Sequence, residues 1–199
     1  LGASIVVHND VNLKTKNQNI FYVENLENKI IDFLNALYEI DINSNNFFTF
    51  TGTNGKTSAA YLCHQLLTNM GYDSIYIGTL GTQYKNKEFN NSFSSKTTPD
   101  IFELFEIINS LNCGLDSVSI CIEISSHALD QKRLNNIYSF NSASILNISN
   151  DHLDYHKNIS TYIKTKFDIF KTNSPVKLIN EESNKLRDCL LYTSDAADE

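Results

Sequence analysis

Phe48-Thr49-Phe50-Thr51-Gly52-Thr53-Asn54-Gly55-Lys56-Thr57 is the stretch that decides the fold, because a strand, a turn and a helix start meet in it. The apolar run Phe47–Phe50 reads as a buried strand, and Gly52 and Gly55 punctuate a turn. A helical pattern through Leu62, Leu66, Leu67 and Met70 follows. Glycines let successive backbone N–H groups point inward at an anion, and the helix after them adds the positive end of its dipole. Lys56 is then placed for the outer phosphates of a nucleotide, and the Thr57 hydroxyl for a magnesium ion. The segment departs from the full G-x-x-x-x-G-K-[ST] pattern, since position 50 is Phe rather than Gly. Gly-Lys-Thr also arises by coincidence in turns; its place between a buried strand and an amphipathic helix is what points to phosphate.

Working outward, Ser4–His8 and Ile20–Val23 read as short strands. Leu26, Ile30, Phe33, Leu34 and Leu37 recur at helical spacing, which predicts a helix over about residues 25–39, ended by Asn43–Asn46. On the other side Ser74–Ile77 is the next strand, and Gly78–Ser95 is a loop or small hairpin. A helix starting near Pro99 carries Phe102, Phe105, Ile108 and Leu111, with Thr98 as a candidate N-cap. Val118–Ile124, Ala143–Ile148 and Val176–Ile179 are strand-like, and Ile159, Ile163, Phe167 and Phe170 form a helical stripe. Strands alternating with helices predict an α/β fold with a doubly wound, mostly parallel sheet. Ligands of such sheets bind at the carboxyl ends of the strands.

Composition narrows the function classes. Hydrophobic residues make up 41% and charged residues 20%, as in ordinary globular proteins. No apolar run approaches the roughly 20 residues that span a membrane, so no membrane partner is expected. A net charge of −7 argues against a nucleic-acid partner, which needs a basic surface, but leaves room for a nucleotide in a local pocket. Cys63, Cys121, Cys113 and Cys189 show no CxxC or zinc spacing, which reads as reduced cytosolic thiols.

Four further segments carry candidate chemistry. Glu123 ends an apolar strand and precedes Ser125-Ser126-His127; a carboxylate there reads equally as a magnesium ligand or as a surface group. Asp151-His152-Leu153-Asp154-Tyr155-His156 suggests a transition-metal site at first sight, but no further ligand follows at fixed spacing, and oxygen-rich surroundings suit Mg²⁺ better. Lys166 lies beside the apolar stripe of its helix while Lys164 is placed for solvent; taken alone, a lysine there reads as solvated. Arg133 reads alone as a helix-end charge.

The string Thr51-Gly52-Thr53-Asn54-Gly55-Lys56-Thr57 resembles the compact phosphate loop of the Mur ligases and of the related folylpolyglutamate synthases. The latter usually read GKG where this chain has Gly55-Lys56-Thr57, which favours the Mur branch. Glu123-Ile124-Ser125-Ser126-His127 resembles the E-x-S-S-H segment of that family, Thr97-Thr98-Pro99 its T-T-P segment, and Asn147–His156 its N-[LI]-x-x-DHLDYH signature. The last is the mark of the stem-peptide branch.

By that resemblance Gly52, Thr53, Asn54, Gly55, Lys56 and Thr57 cradle ATP, with Asn180 near the adenine. Thr97, Thr98, Ser125 and Arg133 contact a UDP-muramoyl-dipeptide, and Lys56, Glu123, His152 and Lys166 serve catalysis. Two Mg²⁺ ions are implied, Thr57 on the first and Glu123 and His152 on the second, with carbamylated Lys166 organising the second; His156 supports the loop. The implied reaction joins a third amino acid, meso-diaminopimelate or L-lysine, to the stem peptide of peptidoglycan through an acyl phosphate. The implied setting is cytoplasmic and the implied state a monomer. The alternatives are a folylpolyglutamate synthase-like ligase or an inactive nucleotide-binding fragment. Set against the family's three domains, residues 1–23 are expected to be the remnant of a UDP-binding domain, and residues 24–188 the central ATP-binding domain. The C-terminal domain is expected to be absent, and this chain alone not to turn over. Residues 189–199, CLLYTSDAADE, match the translation of a transposon-type sequencing adapter and are expected to be non-native.

Overall fold

The structure, a computed structural model, describes residues 6–10, 12–13, 19–85, 87–89, 96–111, 117–149, 153–156 and 158–181. Two short parallel strands, β1 (Val6–His8) and β2 (Ile20–Tyr22), pair with each other and precede helix α1 (Leu26–Tyr38). The main sheet is built from β3 (Asn46–Thr51), β4 (Ser74–Gly78), β5 (Gly81–Tyr84), β6 (Lys87–Phe89), β7 (Ser119–Glu123), β8 (Ser142–Ile145) and β9 (Val176–Ile179). Between them run α2 (Lys56–Asn69), α3 (Ile101–Ser110), α4 (Ser126–Asp130), α5 (Leu153–His156) and α6 (Ile159–Phe167).

The seven strands lie in the order β6-β5-β4-β7-β3-β8-β9. From β4 to β9 all pairings are parallel, and β5 and β6 extend the β4 edge as an antiparallel meander. Within Gly78–Ser95 the described residues 81–84 and 87–89 form a hairpin. Central β3 has β7 on one side and β8 on the other, and the chain winds away from it in both directions, which makes its carboxyl end the switch point where such sheets bind ligands. Register keeps the strand ends level, with Phe50 beside Glu123 and Thr51 beside Ile145.

Every residue of β4, β7 and β8 is buried, so helices and loops cover both faces, as parallel sheets require. Helix α3 contributes Ile101, Leu104, Phe105 and Ile108 to the core, and its Phe105 ring meets Tyr38 of α1 at 5.8 Å. Its N-cap is Asp100 rather than Thr98. Asp100 accepts from the Glu103 N–H (3.0 Å) while the Glu103 carboxylate accepts from the Asp100 N–H (2.8 Å), a reciprocal box that satisfies two end donors.

Two helices present different faces from those their apolar stripes suggest. In α1, Ile31 and Leu34 are buried while Phe33 and Leu37 are exposed. In α2, Leu62, Leu66 and Met70 are exposed, and Ala60 and His64 face inward. The phase of α2 is set at its start, where the phosphate loop aims Lys56 and Thr57, so a polar residue arrives at the buried position. His64 is accommodated because both ring nitrogens find partners, Ser74 Oγ at 3.0 Å and the Lys85 carbonyl at 2.9 Å.

Burial holds the His64 pKa below its ordinary 6.5, with the Lys85 carbonyl opposing in part. The unfolded chain then takes up a proton at a pH where the folded chain does not. The part of the stability that depends on a neutral His64 is full above pH 6.5 and is lost as pH drops from 6.5 toward the depressed folded value. Thermal unfolding across that range is expected to show this loss, and a His64→Gln variant to lack it. An identical pH profile in both would assign the loss to other groups. Among the described residues, no helix is long and apolar enough to cross a membrane.

Candidate active site

The loop between β3 and α2 is held from outside by the segment after β8. Asn54 N–H donates to Asn147 Oδ1 (2.8 Å), Asn147 Nδ2 returns the bond to the Asn54 carbonyl (2.8 Å), and Thr53 N–H donates to the Asn147 carbonyl (3.0 Å). A Cβ at Gly52 would lie 3.2 Å from the Leu146 Cβ and 3.3 Å from Asn147 backbone atoms, so glycine permits this approach. Gly55 precedes α2 with φ of 82°, the left-handed region that a side chain disfavours.

Two lysines converge on the loop. Lys56 Nζ donates to the carbonyls of Gly52 and Thr53, both at 2.9 Å. Lys166, on α6 and only 1% exposed, donates to the same Gly52 carbonyl at 2.8 Å and to Thr51 Oγ1 at 3.2 Å. Its ammonium also lies 5.1 Å from the Tyr162 ring centre, and Tyr162 Oη is 3.0 Å from Thr53 Oγ1. Lys166 thus points at the phosphate loop, and Lys164 is the exposed one. Two ammonium groups on one carbonyl concentrate positive charge in a chain of net charge −7, an arrangement suited to an anion.

Glu123 ends β7 fully buried. Its carboxylate accepts from Tyr76 Oη (2.5 Å), the Thr79 N–H (2.8 Å), Thr57 Oγ1 (2.9 Å) and Thr79 Oγ1 (3.3 Å), all neutral donors. A buried carboxylate met by neutral hydroxyls and one amide is a hard-oxygen site that fits a small divalent cation. Glycine at 78 is required here: a Cβ would overlap Glu123 Oε1 and crowd Tyr76 Oη. Burial first, then the bond to Glu123, pushes the Tyr76 phenol well above its ordinary range, so it stays a donor.

Thr98 joins this site to the third segment. Its hydroxyl donates to the Glu123 carbonyl (2.9 Å) and accepts from the Ser125 N–H (3.0 Å). Ser125 caps α4 by accepting from the Ala128 N–H at 3.1 Å. Lys132, at φ 54°, turns the chain back after α4, and Arg133 donates to the Thr98 carbonyl at 2.6 Å. Lys56, Thr57, Thr97, Glu123, Ser125, Arg133 and Lys166 line one cavity of about 400 Å³. A larger cavity of about 560 Å³ lies between α1 and residues 135–138, reaching Asn43 and Asn173 at the amino ends of β3 and β9, away from this chemistry.

The structure thus brings together nearly all the candidate residues. Thr57 and Glu123, assigned by the resemblance to separate ions, share one point. Asn180 lies exposed just beyond β9, its N–H donating to the Ile145 carbonyl at 3.2 Å. His152, with Asp151 beside it, lies outside the described residues, as does the segment 189–199. Sequence reasoning missed Tyr76, Gly78, Thr79, Asn147 and Tyr162 as parts of the site. A glycine at the carboxyl end of a buried strand in a doubly wound sheet was the available signal for Gly78 and Thr79.

Fold and site define an α/β sheet with a phosphate-type loop at its switch point. The chain belongs to the Mur ligase family, whose middle domain matches residues 50–196. It is 39% identical over 138 residues to the UDP-N-acetylmuramoyl-L-alanyl-D-glutamate–2,6-diaminopimelate ligase of Wolinella succinogenes, covering 69% of this chain and 30% of that one. It is 31% identical over 182 residues to one of the two such ligases of Clostridium acetobutylicum, covering 92% of this chain and 37% of that one. A solved structure of a ligase of the same name shares the fold, with a TM-score of 0.73 at 24% identity over 98% of this chain and 38% of that one. The chain therefore spans about a third of the length of the relatives it matches.

Proposed function

We propose that this chain is the ATP-binding part of a ligase that adds the third amino acid, diaminopimelate or lysine, to UDP-N-acetylmuramoyl-L-alanyl-D-glutamate. The observation that carries it is the meeting of Lys56 and Lys166 at the Gly52 carbonyl, beside a buried Glu123 paired to Thr57. In the proposed reaction a carboxylate oxygen of the substrate attacks the γ-phosphorus of ATP, ADP leaves, and an acyl phosphate forms. The incoming amine then attacks the acyl carbon, phosphate leaves, and the amine's proton is lost as the amide forms. Lys56 and the N–H groups at the start of α2 hold the phosphates against their developing charge, while the Thr53 and Asn54 N–H groups are held by Asn147. Thr57 and Glu123 would hold Mg²⁺, which when bound neutralises phosphate charge. Arg133, Thr97 and Ser125 orient the substrate carboxylate from the far side of the same cavity. Lys166 meets the loop as an ammonium, and its carbamylation would exchange that cation for an anion able to help organise magnesium.

Nucleotide binding is tested on this chain by thermal unfolding. Mg-ATP at about 100 times its Kd is expected to stabilise the fold by about 2.7 kcal/mol. No nucleotide-dependent rise in Tm would remove the reading. The reaction class is tested on a full-length ligase carrying this chain as its ATP-binding part, by ADP release that requires both the UDP-muramoyl-dipeptide and the amino acid. Release driven instead by a folate would assign the chain to the other branch.

A further inference from the structure

The two oxygens of Glu123 meet different surroundings. Oε1 is packed against Gly78, where it accepts from the Tyr76 hydroxyl at 2.5 Å and the Thr79 N–H at 2.8 Å. Oε2 meets the hydroxyls of Thr57 (2.9 Å) and Thr79 (3.3 Å), two residues that line the cavity. Tyr76 has little freedom to release Oε1. It is fully buried, its ring stands edge-on to Tyr61 at 5.6 Å, and its oxygen accepts the Leu80 N–H at 3.3 Å. That last bond takes up a lone pair and turns the phenolic proton toward Oε1.

We propose that Tyr76 is a positioning residue that leaves Glu123 one oxygen, Oε2, for a divalent cation, and thereby selects Mg²⁺ or Mn²⁺ over Ca²⁺. The inference rests on the reading above that Glu123 faces a divalent cation. The chemistry follows from cation size. Mg²⁺ takes six ligands at about 2.0–2.1 Å and is satisfied by one oxygen per carboxylate. Ca²⁺ takes six to eight oxygens at about 2.3–2.6 Å and commonly uses both oxygens of a carboxylate. With Oε1 held by the phenol and the Thr79 amide, that second oxygen is withheld. Tyr76 lies 47 residues from Glu123 in the chain, so the device belongs to the tertiary structure alone.

The test is a Mn²⁺ titration of the full chain, followed by electron paramagnetic resonance, with Ca²⁺ as competitor. Tyr76→Phe keeps the ring against Tyr61 and removes only the hydroxyl. It is expected to lower the ratio of the Ca²⁺ to the Mn²⁺ dissociation constant about tenfold, chiefly by tightening Ca²⁺. A Mn²⁺ site that depends on Glu123, shown by its loss in Glu123→Gln, with an unchanged ratio in Tyr76→Phe would overturn the role of Tyr76. Equal Mn²⁺ binding by wild type and Glu123→Gln would instead overturn the site reading beneath it. A second measurement needs no Tyr76 variant: the infrared difference spectrum of wild type with and without Mg²⁺, its Glu123 bands assigned through Glu123→Gln. The wide splitting of carboxylate stretches from one-oxygen coordination is expected, and the narrow splitting of two-oxygen coordination would sink the proposal.

Discussion

Gly78→Ala is expected to be the most damaging single-methyl change in this chain. The added Cβ overlaps Glu123 Oε1 and crowds the Tyr76 hydroxyl, and since both side chains are fully buried the carboxylate can retreat only toward the cavity it lines, away from its donors. Overpacking of this kind costs about 1–3 kcal/mol. If the carboxylate swings away, the Tyr76 hydroxyl and the Thr79 N–H lose their acceptor, at about 1–3 kcal/mol for each buried donor left unpaired. A loss of about 3 kcal/mol or more should appear as a lower urea midpoint with an unchanged slope. Whatever protein still folds should bind Mn²⁺ about 10–100-fold more weakly, because the group that orients Glu123 has been displaced. A variant with the stability and Mn²⁺ affinity of wild type would show that Glu123 is not held as described.

Lys56→Ala should move stability and binding in opposite directions. Lys56 and Lys166 both donate to the Gly52 carbonyl, so two like charges are crowded at one oxygen. Removing Lys56 relieves that repulsion, and the Tm without ligand should stay level or rise. The same change removes charge-assisted bonds to phosphate, worth about 1.5–3 kcal/mol each. Losing about 3 kcal/mol weakens Mg-ATP roughly 100-fold. Calorimetric titration beside thermal unfolding reads both quantities. A variant that loses stability and retains its nucleotide affinity would make Lys56 a structural residue of the loop.

Much of the site was legible because it is contiguous. The phosphate loop, Glu123 with Ser125, and Thr97 with Thr98 are each short runs at strand ends, and alternating strands and helices place such runs on one edge. The misreadings share one cause. The apolar stripe of α2 runs through Leu62, Leu66 and Met70, yet His64 is the buried residue, since Ser74 and the Lys85 carbonyl wait for it across the chain. Thr98 looked like a helix cap, but the Asp100–Glu103 pair made the cap locally and freed Thr98 to join the end of β7 to Ser125.

Sequence by itself determined what depends on neighbours along the chain: the α/β alternation, the glycine turn with Lys56 and Thr57, and the identity of the acidic strand end. Tertiary structure alone decided which face of α2 is buried and that Lys166 reaches the phosphate loop rather than solvent. It also decided that Tyr76, Gly78 and Thr79 shape the surroundings of Glu123. Those contacts join residues 10 to 115 positions apart and on different elements, where the periodicity of one element carries no information. Whether a buried charge is tolerated there depends on which donors and acceptors the packed strands bring within about 3 Å of it.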